Sequence, residues 1–370
     1  MKIKIKQKDL TNGIAIAQRA VSRKTNIQIH ELIYFEAKND CLLLSSFDGE
    51  ISIKTKIQCL VETEGELAVN ANIISNIVRK LPDDLVTIEL NDGKITIKCK
   101  ESKFNIIAFD YYEKEDLEIP QVEPIEIDNE KLKRSISQTE FATSLDETKL
   151  ALTGILFELK EEYLNLVALD GYRVALKKLK VAYPTDLEGV RLILPKRSIT
   201  EWTRIINDEK TTKIYKSDND IIFDSDNTTM ACKLIDKNYI DYTNIISDIS
   251  TTSVFIERKA LIDSLERAQL LTDSQRANLI KINIENSSML IQSNSEIGNV
   301  RELIDINKEG DDLNIAFNAK YLLEGVKACD TDTIKMNFKS SLNPCLIYPK
   351  DSKKEDEEYI YLALPVRLAN

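Results

Sequence analysis

CLLLSSFDGEISI at 41–53, YLNLVALDGYRVA at 163–175 and MLIQSNSEIGNVRE at 289–302 share one pattern. Each is an alternating run, a turn holding Gly49, Gly171 or Gly298, and a second alternating run. Alternation with period two marks a strand with one buried face, and a glycine at the turn supplies the positive φ of a tight hairpin. The three glycines stand 122 and 127 residues apart in a chain that has only ten. Two further markers keep the interval. LTNGIAIAQRAVS (10–22), LKRSISQTEFATS (132–144) and LIDSLERAQLLT (261–272) have helical apolar spacing, with starts 122 and 129 apart. VNANIISNIVRKLP (69–82), LPKRSITEWTRIIN (194–207) and FNAKYLLEGVKACD (317–330), anchored on Ala71, Lys196 and Ala319, are offset by 125 and 123. A period near 125 in 370 residues predicts three α+β domains, about 1–125, 126–250 and 251–370, each with two helices and many short strands.

Strand alternation recurs at KITIKCK (94–100), NDIIFDS (219–225) and NIAFN (314–318), and the joints EIPQVEPIEID (118–128) and SDISTTS (247–253) read as loops. The run DSKKEDEE (351–358) reads as a solvated loop between the last two strands. The opening MKIKIKQKDL alternates like a strand and has no apolar signal core. With no apolar run near the roughly 20 residues of a membrane span, a cytoplasmic location and no membrane partner are expected.

Composition narrows the chemistry. His30 is the one histidine, and the six cysteines are scattered with no C-x-x-C pair, so zinc and redox motifs are absent and buried structural thiols are expected. No Gly-rich phosphate loop occurs. Asp170 and Arg173 beside Gly171 lack a recognisable base or nucleophile, so a non-catalytic protein without cofactor or metal is expected.

Charge is unevenly placed. The helical windows 10–24, 70–80, 129–144, 195–208, 258–272 and 318–328 carry +3, +2, +1, +1, +1 and +1, in total +9. The whole chain is −11, so the remainder carries −20. Helices sharing one face would make a basic surface on an acidic protein, suited to DNA phosphate. There is no aromatic-rich basic strand for base stacking and no helix-turn-helix or finger spacing, so duplex held by its backbone without sequence preference is expected.

LTGILFE (152–158), VALDGYRVAL (167–176), LPKRSITE (194–201), KLIDKNYIDY (233–242), FNAKYLLEGVKA (317–328) and the terminal YIYLALPVRL together resemble the bacterial sliding clamps, the beta subunits of DNA polymerase III. The resemblance covers essentially the whole chain. It implies the DNA clamp fold: three domains, each with two helices on an antiparallel sheet, in a head-to-tail homodimeric ring with helices lining the hole around duplex DNA. It implies a processivity factor that tethers the replicative polymerase after an ATP-driven clamp loader closes the ring.

The resemblance carries site expectations with it. Candidate DNA contacts are Arg19, Arg23, Lys24, Arg79, Lys80, Lys149, Lys196 and Arg197. A partner-peptide pocket would be lined by Leu152, Leu169, Gly171, Tyr172, Arg173, Val174, Ile240, Ile245, Asn318, Tyr321, Leu342, Pro344, Leu364, Pro365, Val366 and Arg367. It would have an apolar floor and guanidinium groups at its rim. Short motifs of the alpha-type catalytic subunit, the clamp loader, other polymerases and repair proteins would dock there. Phe104 and Ile106 of the first domain and Leu270 and Leu271 of the third would form the dimer joint. Relatives usually have His for Tyr172, Thr for Leu169, Pro for Ile240 and often Arg for Asn244, so this pocket is expected to be more apolar and less basic. The family's R-x-T-x-P-I-L-like stretch reads KTNIQIH (24–30) here. Read from the residues alone, Leu169, Val174 and Leu364 also suit ordinary strand core, and a repeat-built interaction scaffold that never encloses DNA is the alternative function.

Overall fold

Two of the three turns that anchor the repeat are built alike, and the third, at Gly298 with φ +155°, has no such aspartate. Asp48 Oδ1 accepts the amides of Glu50 and Ile51 at 3.1 and 3.0 Å, and Asp170 Oδ1 accepts those of Tyr172 and Arg173 at 2.9 and 3.2 Å. Gly49 and Gly171 sit at φ +96° and +97°, in the region where only glycine is unstrained. The aspartate closes the turn and the glycine permits it.

The computed structural model describes residues 1–22, 25–109, 117–246, 249–273, 278–351 and 356–367. Six α-helices are present among them: α1 (Gln7–Ala17), α2 (Ala71–Val78), α3 (Asn129–Ser137), α4 (Lys196–Thr203), α5 (Arg258–Gln269) and α6 (Ala319–Ala328). The chain forms two units, Met1–Leu132 with Arg197–Leu234, and Lys133–Lys196 with Ile235–Asn370.

The first unit holds two antiparallel sheets. One has five strands in the order Leu60–Thr63, Lys2–Lys6, Leu85–Asn91, Lys94–Cys99 and Ser102–Ile107. The other has eight, and in it Thr228–Lys233 pairs with Ile51–Gln58, Cys232 opposite Ile51. That sheet therefore runs past the repeat boundary. The helix expected from Leu10 starts earlier, at Gln7, and gives way at Gln18–Ala20 to a 3₁₀ turn. Gly13 is a point of close approach, since a Cβ there would lie 2.1 Å from Ile57 Cδ1. Leu10 and Ile14 are buried in the core, each contributing about 1.5–3 kcal/mol. Asn70 caps α2 by accepting the amides of Asn72 and Ile73 at 3.1 and 3.2 Å. Trp202 of α4 stacks on Phe223 and donates to Thr212 Oγ1 at 3.1 Å, which in turn donates to Asn129 Oδ1 at 2.6 Å.

The second unit holds a four-stranded and a nine-stranded antiparallel sheet. In the larger, Arg173–Lys180 pairs with Glu357–Ala363, placing Arg173 opposite Ala363 and Val174 opposite Leu362. The run 351–358 is not all solvated loop. Residues 352–355 lie outside the described residues, but Glu357 opens a strand and is buried, 2.6 Å from Lys177 Nζ and bonded to Arg134. Burial alone would push the Glu357 pKa up, yet the two cations hold it below the ordinary range. A buried lysine at position 177 requires that carboxylate, which is why an acidic residue of the run turns inward.

Five cysteines are buried and Cys59 is half-buried. Burial pushes the Cys59 thiol up to about 11 and those of Cys232 and Cys329 up to about 12, the behaviour of unreactive packing thiols. Among the described residues no helix is long and apolar enough to cross a membrane, and no three potential ligands are placed to hold a metal.

Candidate functional site

In the first unit, the end of α1, the helix α2 and the helix α4 border a cleft lined by four arginines, Arg19, Arg79, Arg197 and Arg204. Their partners differ. Arg19 Nη1 lies 2.6 Å from Glu201 Oε2, and Arg204 Nη1 lies 2.9 Å from the other oxygen, Oε1. Arg197 pairs with Asp48 and, at 3.4 Å, with Glu50. Among the described residues Arg79 is held by neutral groups of its own helix end, its Nε donating to Ser75 O at 3.3 Å and its Nη2 to Asn76 Oδ1. The cleft thus presents guanidinium to solvent, most of it already facing carboxylate.

Arg19, Arg79 and Arg197 come together in this cleft. Lys80 is exposed, and Lys196 is half-buried with no ion-pair partner among the described residues. Lys149, 4.0 Å from Asp146, is exposed in the second unit. Arg23 and Lys24 lie outside the described residues. Arg204 was missed by sequence reasoning, although its place in the positive window LPKRSITEWTR, three residues after Glu201, was a usable signal.

The residues expected to form a peptide pocket all fall in the second unit. Leu152, Leu169 and Val174 are buried in one apolar cluster with Leu362, Tyr239 and Tyr242. Five other apolar members of the expected pocket are exposed: Tyr172 at 61%, with Ile240, Ile245, Leu342 and Leu364. Tyr172 stacks on Tyr321 with ring centroids 6.2 Å apart, and its carbonyl accepts the Leu364 amide at 2.9 Å. The Val366 amide donates to Ala316 O at 2.8 Å, which fixes the segment carrying Pro365 and the exposed Arg367. Pro344 is half-buried just before Cys345, which pairs with Ala363.

Two members do something other than expected. Arg173 is not a rim guanidinium. It is buried, donating from Nε to Asp170 Oδ2 at 2.9 Å, from Nη2 to Phe141 O at 2.7 Å and from Nη1 to Glu324. Its guanidinium carbon lies 4.4 Å from the centroid of the Tyr321 ring. Burial opposes the charge, but Tyr361, Glu324 and Asp170 raise its pKa and keep it protonated. Asn318 offers no free carbonyl to a partner, because its Oδ1 caps α6 through the amides of Lys320 and Tyr321 at 2.9 and 3.2 Å. Arg173 therefore stands behind the surface, and the Asn318 carbonyl is engaged by its own helix.

Each unit also has an open sheet edge. Among the described residues Ser102–Ile107 pairs with Lys94–Cys99 alone, and Gly298–Asp305 with Ser288–Ser295 alone. On the first edge Phe104 is exposed and Ile106 packs partly on the core; Ile107, unanticipated, is exposed on the opposite face. Near the second, Leu270 is 76% exposed at the end of α5, Leu271 is half-buried, and Leu303 and Ile297 are exposed, again unanticipated. Long apolar edges left open invite pairing with another chain.

The beta sliding clamp of Bacillus subtilis (strain 168) is 32% identical to this chain, over 99% of it and 100% of the relative. The crystal structure of the DNA polymerase sliding clamp from Bacillus subtilis matches with a TM-score of 0.93 at 30% identity, covering 100% of both chains. That of the beta subunit from the DNA polymerase of Streptococcus pyogenes matches at 0.94 and 27% identity, with the same coverage. Family models for the N-terminal, central and C-terminal domains of the DNA polymerase III beta subunit match residues 1–118, 126–241 and 243–367 in that order, and the chain belongs to this family.

Proposed function

We propose that two copies of this chain join head to tail into a ring that encircles duplex DNA and slides along it, as a non-catalytic, cytoplasmic processivity factor of a DNA polymerase. The observation that carries the reading is the pair of open, apolar-flanked edges, Ser102–Ile107 and Gly298–Asp305, in a family of clamps. A head-to-tail contact between such edges leaves neither of these two strands open once two copies close. Its three domains are 1–125, 126–250 and 251–370, and its joint is formed by Phe104 and Ile106 against Leu270 and Leu271.

Basic side chains of the helices, among them Arg19, Arg79, Lys80, Lys149, Lys196 and Arg197, face the duplex and meet phosphates of any sequence. Topology rather than affinity keeps the ring on DNA, so weak contacts suffice. The apolar surface around Tyr172, Ile240, Ile245, Leu342 and Leu364 docks short peptides of the replicative catalytic subunit, the clamp loader, other polymerases and repair proteins. A short peptide with apolar anchors suits it, because burying a few large side chains supplies most of the affinity in such sites.

The test is topological. Loaded on a nicked circular plasmid by its clamp loader and ATP, the protein is expected to co-elute with the DNA and to be lost after a single restriction cut. Retention on the linearised plasmid, or none on the circle, contradicts the reading and returns the scaffold alternative.

A further inference from the structure

We infer that Glu201 sets how loosely the basic helix face holds DNA, by occupying two of the arginines that would otherwise anchor a phosphate. The inference rests on the sliding-ring reading and concerns the strength of its phosphate contacts. Glu201 bridges Arg19 at 2.6 Å and Arg204 at 2.9 Å, one carboxylate oxygen to each. Its side chain is only 19% exposed, so it is a fixed part of the cleft and not a waving surface group. Arg197 is treated the same way, by an Asp48 whose side chain is 2% exposed and whose other oxygen closes the turn at Gly49. Three of the four guanidiniums lining the cleft therefore already face carboxylate, and among the described residues Arg79 meets none.

A phosphate that takes the Nη1 donor of Arg19 or Arg204 displaces a charge-assisted bond of similar kind to the one it forms, and one that takes the remaining N–H donors meets a cation whose charge Glu201 already balances in part. The exchange gains little, so the contact is weak and short-lived. The positive field needed for attraction remains, because the four cations outnumber the three carboxylates that face them, Glu201, Asp48 and Glu50. A ring held by topology benefits from such a surface, since firm anchors would stop it moving.

Glu201→Gln keeps an acceptor of the same shape and removes the charge. Binding to a labelled linear duplex across a salt series should then fall more steeply with salt, the log–log slope growing by about one to two, as each newly engaged phosphate adds about 0.9. One-dimensional diffusion on DNA should slow. Adding Arg204→Gln should take back about one unit of slope. Glu62→Gln is the matched control: Glu62 also bridges two cations, Lys2 at 2.7 Å and Lys4 at 2.6 Å, but on sheet strands of the same unit. Its slope should equal that of the unaltered protein.

An unchanged slope for a folded Glu201→Gln, or an equal rise in Glu62→Gln, overturns the inference while leaving the sliding ring intact. Failure of the unaltered protein to bind duplex in a salt-dependent way overturns both.

Discussion

Replacing Arg173 with alanine is expected to lower the unfolding free energy by about 3–5 kcal/mol, the range found when one partner of a buried ion pair is removed. The side chain satisfies Asp170, Glu324 and the Phe141 carbonyl at once, from inside the protein. Alanine leaves Asp170 and Glu324 without their shared cation and strips the guanidinium from the Tyr321 face. Lysine should not rescue it, since one ammonium on a flexible stem cannot span three acceptors in the geometry of a planar fork. Urea unfolding checks both variants, and a loss below about 1 kcal/mol, the scale of an exposed pair, would show that the cage carries little of the fold. The same change should weaken peptide docking, because Tyr172 rests on Tyr321 and Tyr321 rests on Arg173.

Phe104→Ala combined with Leu270→Ala is expected to raise the dimer dissociation constant by about 10²–10⁴. Large apolar side chains buried at a joint contribute roughly 1.5–3 kcal/mol each, and every 1.4 kcal/mol is a factor of ten. Both side chains are exposed in the single chain, so neither truncation removes much of its own core. The variant should remain folded by circular dichroism and sediment as a monomer at concentrations where the unaltered protein is a dimer. Leu271 is a poorer target, since its side chain packs against Gly298 and its carbonyl accepts the Ser293 hydroxyl at 3.0 Å, so its truncation mixes folding with association. An unaltered dimer at nanomolar concentration would place the joint elsewhere.

What could be read from the sequence is what repeats or what acts locally. Gly49 and Gly171 announce their turns because positive φ has few alternatives, and Asn70 and Asn318 sit where a polar cap must precede an apolar helix. Hidden from a local reading was everything set by partners far along the chain. Arg173 reads as part of a surface turn, yet Phe141 and Glu324, 32 and 151 residues away, make it an interior cation. Glu201 looks like an ordinary helix carboxylate until Arg19, 182 residues distant, is found against it. Glu357 looks solvated in a charged run until Lys177 is seen to need it. Strand pairing across the repeat boundary is equally silent, because period-two alternation reports a buried face and not which strand lies alongside.

The closed ring itself is tested most directly by small-angle X-ray scattering with an absolute mass, on the protein alone. A closed dimeric ring should give twice the 42.2 kDa of one chain and a distance distribution with the depleted short vectors of a hollow particle. A solid particle of any mass would contradict it, and the assignment of the arginine cleft to DNA would fall with the ring.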